Sequence, residues 1–336
     1  MPPGLRLLMT LATLAACADP RPPAPAHRAW GGRGRQAELT AEVTTRFASR
    51  LSAAYHARDP AAAAALYAED AVAERAGEPE ERAEGRPAIE RALARRFSRY
   101  RDLRLVVGRI WVGREASVIE HVLGGTRRAA RGKPGGERPV GVVGAFVVTF
   151  DGAGRVAAQR LYMDEVTLIG QIDRRRLPDG MSVPEVATGV ADGNAVRVAR
   201  GTPAEQRNRE TSARIWAALT AHRVDDALAP MADDYLYVDF AAPTPLDRAA
   251  TRTLVTRFFA AVPDLVFAEP PVVIAAGDEV VTEVVEHATW NRAPITLHAV
   301  DVRRFAGGQV AREWQYSNYR EVLTQLGPAP PPAPAD

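Results

Sequence analysis

An α+β fold, present twice, is what this chain predicts, and three observations carry the expectation. Within each half, helical spacing of apolar residues gives way to long extended segments. The same short motifs return in the same order: His56-Ala57-Arg58-Asp59 as His222-Arg223-Val224-Asp225, Ala68-Glu69-Asp70 as Ala232-Asp233-Asp234, and Glu120-His121 as Glu286-His287. Both halves also close alike, since Leu161-Tyr162-Met163-Asp164 is answered by Gln315-Tyr316-Ser317-Asn318, a tyrosine two residues before a carboxylate or amide. Order and spacing kept over such distances mark a tandem pair of similar domains.

The first copy opens with Val43, Phe47, Leu51 and Tyr55 at spacings of four, a helix with Thr40 as its cap. The second opens on Thr202-Pro203-Ala204-Glu205, a capping box with proline at the first helical position, and buries Ile215, Trp216 and Leu219. Short second helices are expected over Pro60 to Leu66 and Asp225 to Pro230, and third helices from Pro87 (Ile89, Leu93, Phe97) and Arg248 (Leu254, Phe258, Phe259). Strands follow at Leu103 to Trp111, Glu115 to Leu123, Pro139 to Phe150 and Arg155 to Met163, the last two joined by a turn at Gly152-Ala153-Gly154. The second copy repeats them at Leu265 to Ala275, Glu279 to Trp290, Pro294 to Phe305 and Gln309 to Ser317, with Gly307-Gly308 as the turn. Between copies, Asp173 to Arg200 is rich in Gly, Pro and Asp and reads as a linker with room for one short strand.

The ends are not fold. Leu7 to Leu14 is an apolar run too short to span a bilayer, and Leu14-Ala15-Ala16-Cys17 follows it. This start resembles the lipobox of bacterial lipoproteins, which implies a signal peptide over 1–17, acylation of Cys17, and a lipid-anchored envelope protein on the periplasmic or extracellular face. Cys17 is the sole cysteine, so no intramolecular disulfide can form. The expected organisation is a tether over 18–35, a first domain over 36–172, a linker over 173–201, a second domain over 202–327 and a proline-rich tail over 328–336.

Composition removes further classes. The net charge is +2, with 43 Lys plus Arg against 41 acidic residues spread along the chain, so no concentrated basic face for nucleic acid is expected. Lys133 is the one lysine, which makes the arginines a compositional habit rather than a functional signal. Nothing beyond Cys17 is apolar and long enough to cross a membrane. No glycine-rich phosphate loop is present and no cofactor is expected. The spacing of His298 and Asp301 puts them on opposite strand faces, which fails as a metal site.

Each half resembles the nuclear transport factor 2-like superfamily, within it the SnoaL-like polyketide cyclase and ester-cyclase group. The matching stretches are Gly85-Arg86-Pro87-Ala88-Ile89, Gly124-Gly125-Thr126 and Thr167 to Gln171 in the first copy. In the second they are Phe259 to Leu265, Gly277 to Val281, and Gly307 through Gly327. The resemblance implies two cone-shaped α+β domains, each with three N-terminal helices on a curved, mostly antiparallel sheet. It also implies an internal pocket for a small apolar molecule, and sheets able to pair as an internal pseudo-dimer or a homodimer.

Cyclases and isomerases of this fold use a pocket carboxylate as proton shuttle, which by resemblance points to Asp164 as acid/base with Tyr162 as a donor beside it. Strand alternation puts Val156, Ala158, Arg160, Tyr162 and Asp164 on one face. The plainer role of an aspartate at a strand end is to cap the next helix. Asn318 stands in the place of Asp164 in copy two, and an amide cannot shuttle a proton. Of the pairs Glu120/His121 and Glu286/His287, alternation allows one member each to line a pocket. The aromatics Tyr55, Trp111, Trp216, Trp314 and Tyr316 are pocket lining or core, and Asp239 is a polar residue in an apolar strand. The expected function is ligand binding by a membrane-anchored protein, with cyclase or isomerase activity through Asp164 as the alternative.

Overall fold

The computed structural model describes residues 41–128, 136–173, 183–189, 195–242, 244–290 and 292–326. Cys17, the tether, the Thr40 cap and the tail lie outside them. Among the described residues no helix is long and apolar enough to cross a membrane.

Copy one begins with α1 (Ala41–Ala57) and α2 (Pro60–Ala64), the latter capped by the Asp59 side chain, which accepts from the Ala62 amide. Then come β1 (Tyr67–Arg75), β2 (Glu78–Glu84), α3 (Arg86–Ser98), β3 (Arg104–Val112), β4 (Ser117–Arg127), β5 (Arg138–Phe150), β6 (Val156–Met163) and α4 (Glu165–Ile172). The linker contributes β7 (Val196–Val198), which pairs in parallel with β3 and so extends the first sheet. Copy two has α5 (Pro203–Thr220), α6 (Val224–Leu228), β8 (Met231–Asp239), β9 (Leu246–Asp247), α7 (Arg248–Ala261), β10 (Val266–Phe267), β11 (Val273–Ala276), β12 (Glu279–Trp290), β13 (Ala293–Ala306), β14 (Gln309–Ser317) and α8 (Tyr319–Leu326). The expected capping box forms: Thr202 Oγ1 accepts from the Glu205 amide and Glu205 Oε2 from the Thr202 amide, at 3.2 and 2.8 Å.

The sheets run β2-β1-β6-β5-β4-β3-β7 and β10-β12-β13-β14-β8-β9, with β11 also on β12. In each, the first strand pairs in parallel with the last one, and the central ladders are antiparallel. Each copy is thus a sheet with helices on its concave side. In copy one, Phe47, Leu51 and Tyr55 of α1 and Ile89, Leu93 and Phe97 of α3 fill that side against Ile119, Leu123, Phe146 and Leu161. The opposite faces of the sheets meet. Trp111, Val118, Ala145, Val147 and Tyr162 pack against Val281, Val300, Val302, Trp314 and Tyr316 in one apolar cluster spanning both copies.

Several expectations need correction. The extended run from Leu265 to Ala275 is two strands, β10 and β11, because Pro270 and Pro271 cannot donate to a ladder. Strands β1 and β2 and the terminal helices α4 and α8 were not among the predicted elements. The Glu-His repeat is out of structural register. Glu120, Ala145 and Tyr162 form one row across the first sheet, and Glu283, Val300 and Tyr316 form the matching row of the second, so Glu283, not Glu286, is the counterpart of Glu120. The His-x-x-Asp repeat slips as well. Arg58 and His222 hold the same left-handed position after their helices, at φ 55° and 56°.

Candidate functional site

The layer between the copies holds most of the residues expected to form a pocket. Glu120, buried on the outer face of β4, receives two bonds from the Arg109 guanidinium and one from the Tyr316 hydroxyl of the other copy. Glu283 of copy two is its counterpart and takes both the Arg160 guanidinium and the Tyr162 hydroxyl from copy one. Trp111 Nε1 donates to Glu279 Oε2 at 2.6 Å, and Trp314 lies under the guanidinium of Arg109, 4.3 Å from its centroid. Buried charges so paired hold a fixed registry between two sheets.

Asp164 sits at the rim of this layer. Its carboxylate accepts from the amides of Val166 and Thr167 and from the Thr167 hydroxyl, capping α4, and also from the Tyr319 amide of copy two at 3.1 Å. Burial pushes its carboxyl up to about 6 against those hydrogen bonds, with Asp239 adding to the rise. Asn318 answers it: its Oδ1 accepts from the Glu165 amide and its Nδ2 donates to Glu78. The placing of Tyr162, Asp164, Arg160, Glu120, Trp111, Trp314, Tyr316 and Asn318 in a pocket is therefore corrected. Their side chains meet the other copy, because alternation along β3, β4, β6 and β14 turns them away from the concave faces.

Tyr55 and His121 do face the concave side of copy one. Tyr55 is packed edge-on against Phe97, and its hydroxyl accepts from Arg96. His121 stacks on Phe146 at 4.0 Å; Nδ1 lies 3.4 Å from the Ile119 carbonyl and Nε2 has no partner. Burial pushes its imidazole down to about 3, so it is neutral at any ordinary pH. Across three strands the adjoining row is apolar, Ile119 facing Phe146, which faces Leu161, before it ends on Arg75 of β1; in the row beyond, Ser117 and Gln159 are satisfied by Thr44 and Tyr67.

The matching row of copy two is polar throughout. Thr282 faces Asp301, Asp301 faces Gln315, and Gln315 pairs with Asp239. The next row is Val280, Arg303, Glu313 and Tyr237. Arg303 donates to Glu313 at 2.9 and 3.0 Å and to the Ser212 hydroxyl, and lies 4.2 Å over the ring of Trp216. Asp239 accepts from the Tyr319 hydroxyl at 2.6 Å and the Ala241 amide at 2.9 Å, and burial raises its carboxyl. Glu286 makes no hydrogen bond or ion pair to any described residue. Burial pushes it up to about 8, with repulsion from Glu321 and Asp239 adding to the effect. His287, its neighbour, is exposed on the other face beside Thr296.

Five side chains here have a buried polar atom with no hydrogen bond to a described residue: Nε1 of Trp216 and Trp290, Oγ1 of Thr251 and Thr282, and both carboxyl oxygens of Asp301, which is ion-paired with Arg303 Nε at 3.4 Å. Burial holds Asp301 well above the usual carboxylate range, opposed by Arg303 and reinforced by Glu313. Beyond the polar rows this face is apolar, where Phe259, Val262, Trp290, Ile295 and Leu297 pack in one cluster. A separate groove of about 600 Å³ lies outside this concavity, between β7, the start of α5 and the Gly277 and Gly307-Gly308 turns.

Sequence reading found Trp216, Asp239 and Glu286 and missed Thr282, Arg303, Glu313 and Tyr319. The available signal was charge at alternate positions of β13, where Asp301 and Arg303 interrupt Ala299, Val300 and Val302.

A family model described as the SnoaL-like domain matches twice, at residues 48–159 and 213–313, and the chain belongs to that family as a tandem pair. Among solved structures, AclR from Streptomyces galilaeus is 20% identical and is matched over 37% of this chain and 97% of its own, at a TM-score of 0.34. A SnoaL-like protein from Jannaschia sp. CCS1 is 18% identical over 39% of this chain and 97% of its own, at 0.36. An LEH-like epoxide hydrolase from M. tuberculosis is 17% identical over 36% and 90%, at 0.32. No curated protein matches the chain.

Proposed function

We propose that this protein binds a small, largely apolar molecule with a polar end, and that copy two is the binding half while copy one is a filled scaffold. The observation that supports it is the contrast between equivalent rows. Where copy one places Ile119, Phe146 and Leu161, copy two places Thr282, Asp301 and Gln315, and buried polar groups without protein partners are costly unless an occupant satisfies them. An apolar wall beside a few convergent polar groups is the usual composition of a small-molecule site. The acid/base alternative draws no support from Asp164 and Tyr162, whose polar atoms are taken up between the copies.

The test is to graft the scaffold's side chains into the binding half. Native mass spectrometry of residues 20–336 purified from the host should find a retained small molecule in the wild type and none in the Thr282→Ile/Asp301→Phe variant. Equal content in two folded proteins would sink the proposal. The lipobox-like run ending at Cys17 supports an envelope anchor, and incorporation of an alkyne fatty acid that is lost in Cys17→Ser is the outcome expected.

A further inference from the structure

Charge does not balance on the concave face of copy two. Asp239, Glu286, Asp301 and Glu313 all point to it, and Arg303 is the one guanidinium among its described residues. That cation is hydrogen-bonded to Glu313 and Ser212 and is shared with Asp301 at 3.4 Å, one guanidinium between two carboxyl groups. Asp239 has a tyrosine hydroxyl and an amide, both neutral donors. Asp301 is 1% exposed and its one cation is the shared Arg303, at 3.4 Å, while Glu286 is 8% exposed and makes no hydrogen bond or ion pair to a described residue. Burying carboxyl groups in this state is unfavourable unless a cation meets them.

Two observations independent of the acids point to an occupant. The Thr282 hydroxyl and the Trp290 indole N–H, 2% and 6% exposed, are turned to the same face and have no protein partner. The surroundings of Glu286 are aromatic as well as acidic. Phe267 is its cross-strand neighbour, and the ring of Phe267 lies 5.0 Å from that of Trp216. Carboxylates beside aromatic faces are the environment that recognises organic ammonium groups, by Coulomb attraction on one side and ring quadrupoles on the other. An anionic ligand would meet four acids at close quarters, and a purely apolar one would leave Thr282 and Glu286 without partners.

We propose that the concave face of copy two takes a small organic cation, an amine or quaternary ammonium carried on an apolar body, with Glu286 and Asp301 as its counter-charges. This rests on the reading of copy two as a small-molecule pocket. The ammonium lies over the row of Thr282 and Asp301, within reach of Glu286, and the apolar body points to Phe259, Trp290 and Leu297.

Displacement of the neutral fluorophore N-phenylnaphthylamine from the full chain separates the two claims. Phenethylamine, phenethyl alcohol and phenylacetate share one body and differ in the charge of the end group. Phenethylamine is expected to displace the fluorophore at about tenfold lower concentration than the alcohol, and phenylacetate least well. Glu286→Gln should bring the amine close to the alcohol while leaving the alcohol unchanged, and Asp301→Asn is the second variant should the first not fold. A fluorophore that binds, yet is displaced equally well by amine and alcohol or best by phenylacetate, overturns the cation assignment and leaves the pocket standing. A fluorophore that does not bind the wild type, or that binds Thr282→Ile/Asp301→Phe equally well, overturns the pocket and the cation assignment together.

Discussion

His121 and Val284 occupy the same place in the two sheets, one row beyond Ile119–Phe146 and Thr282–Asp301. In copy one the imidazole acts as a flat core residue against Phe146 and is held neutral by burial. A base whose folded pKa is lowered from 6.5 to about 3 leaves the unfolded chain alone to bind the proton between those values, so its contribution to stability falls as pH drops through that window. The loss is about 1.4 kcal/mol per pH unit below the unfolded value. His121→Val is therefore expected to be less stable than the wild type near neutrality and to recover relative to it on acidification, as read by urea unfolding at a series of pH values. A gap that stays constant from pH 7 to pH 4 would contradict the assignment. Individual residues are also where the sequence misled. Glu120-His121 and Glu286-His287 look like one motif, yet the three-residue slip of register turns the glutamate outward in copy one and inward in copy two.

At the scale of elements, most helices, the four strands β3 to β6 of copy one and the three strands β12 to β14 of copy two were legible, because caps and period changes are written locally. Strands β1 and β2 were not, since Ala-Glu-Asp and Glu-Pro-Glu-Glu sequences have weak strand propensity and are held by pairing with β6 and with each other. The turn between them carries a tight constraint. Gly77 has φ 75°, and a Cβ there would lie 2.0 Å from Cδ of Glu321 on α8 of the other copy. Glu321 is fixed by the amide of His298 at 2.9 Å and by its Nδ1. Gly77→Ala must displace that side chain, and a loss of roughly 2–3 kcal/mol in urea unfolding is expected. In a Glu321→Ala background the same substitution should cost clearly less, because only the backbone strain remains. Equal costs in the two backgrounds would mean that the turn, not the contact, is what alanine disturbs.

The whole molecule is held by a sheet-to-sheet layer in which each copy sends a tyrosine to a buried glutamate of the other, with copy one supplying the arginine at both places. The pseudo-dimer was an expectation of the sequence; its contacts were not, because pairing across more than a hundred residues leaves no local trace. Breaking the chain between the copies should leave them together. A protease site placed within 174–182 and cut in the folded protein is expected to give two fragments that co-elute and unfold as one unit, whereas separation into soluble monomers would show the layer to be incidental.

The exchange of caps at the rim has a consequence for how such a chain can arise and change. Asp164 and Asn318 hold equivalent places, and each receives the amide that opens the other copy's terminal helix. A protein assembled from two identical chains would have to place either two acids or two amides there, and either two filled interiors or two polar ones. Fusion in one chain lifts that restriction: one half is free to keep the architecture while the other alters its interior, and the junction between them can be chemically lopsided without weakening either side.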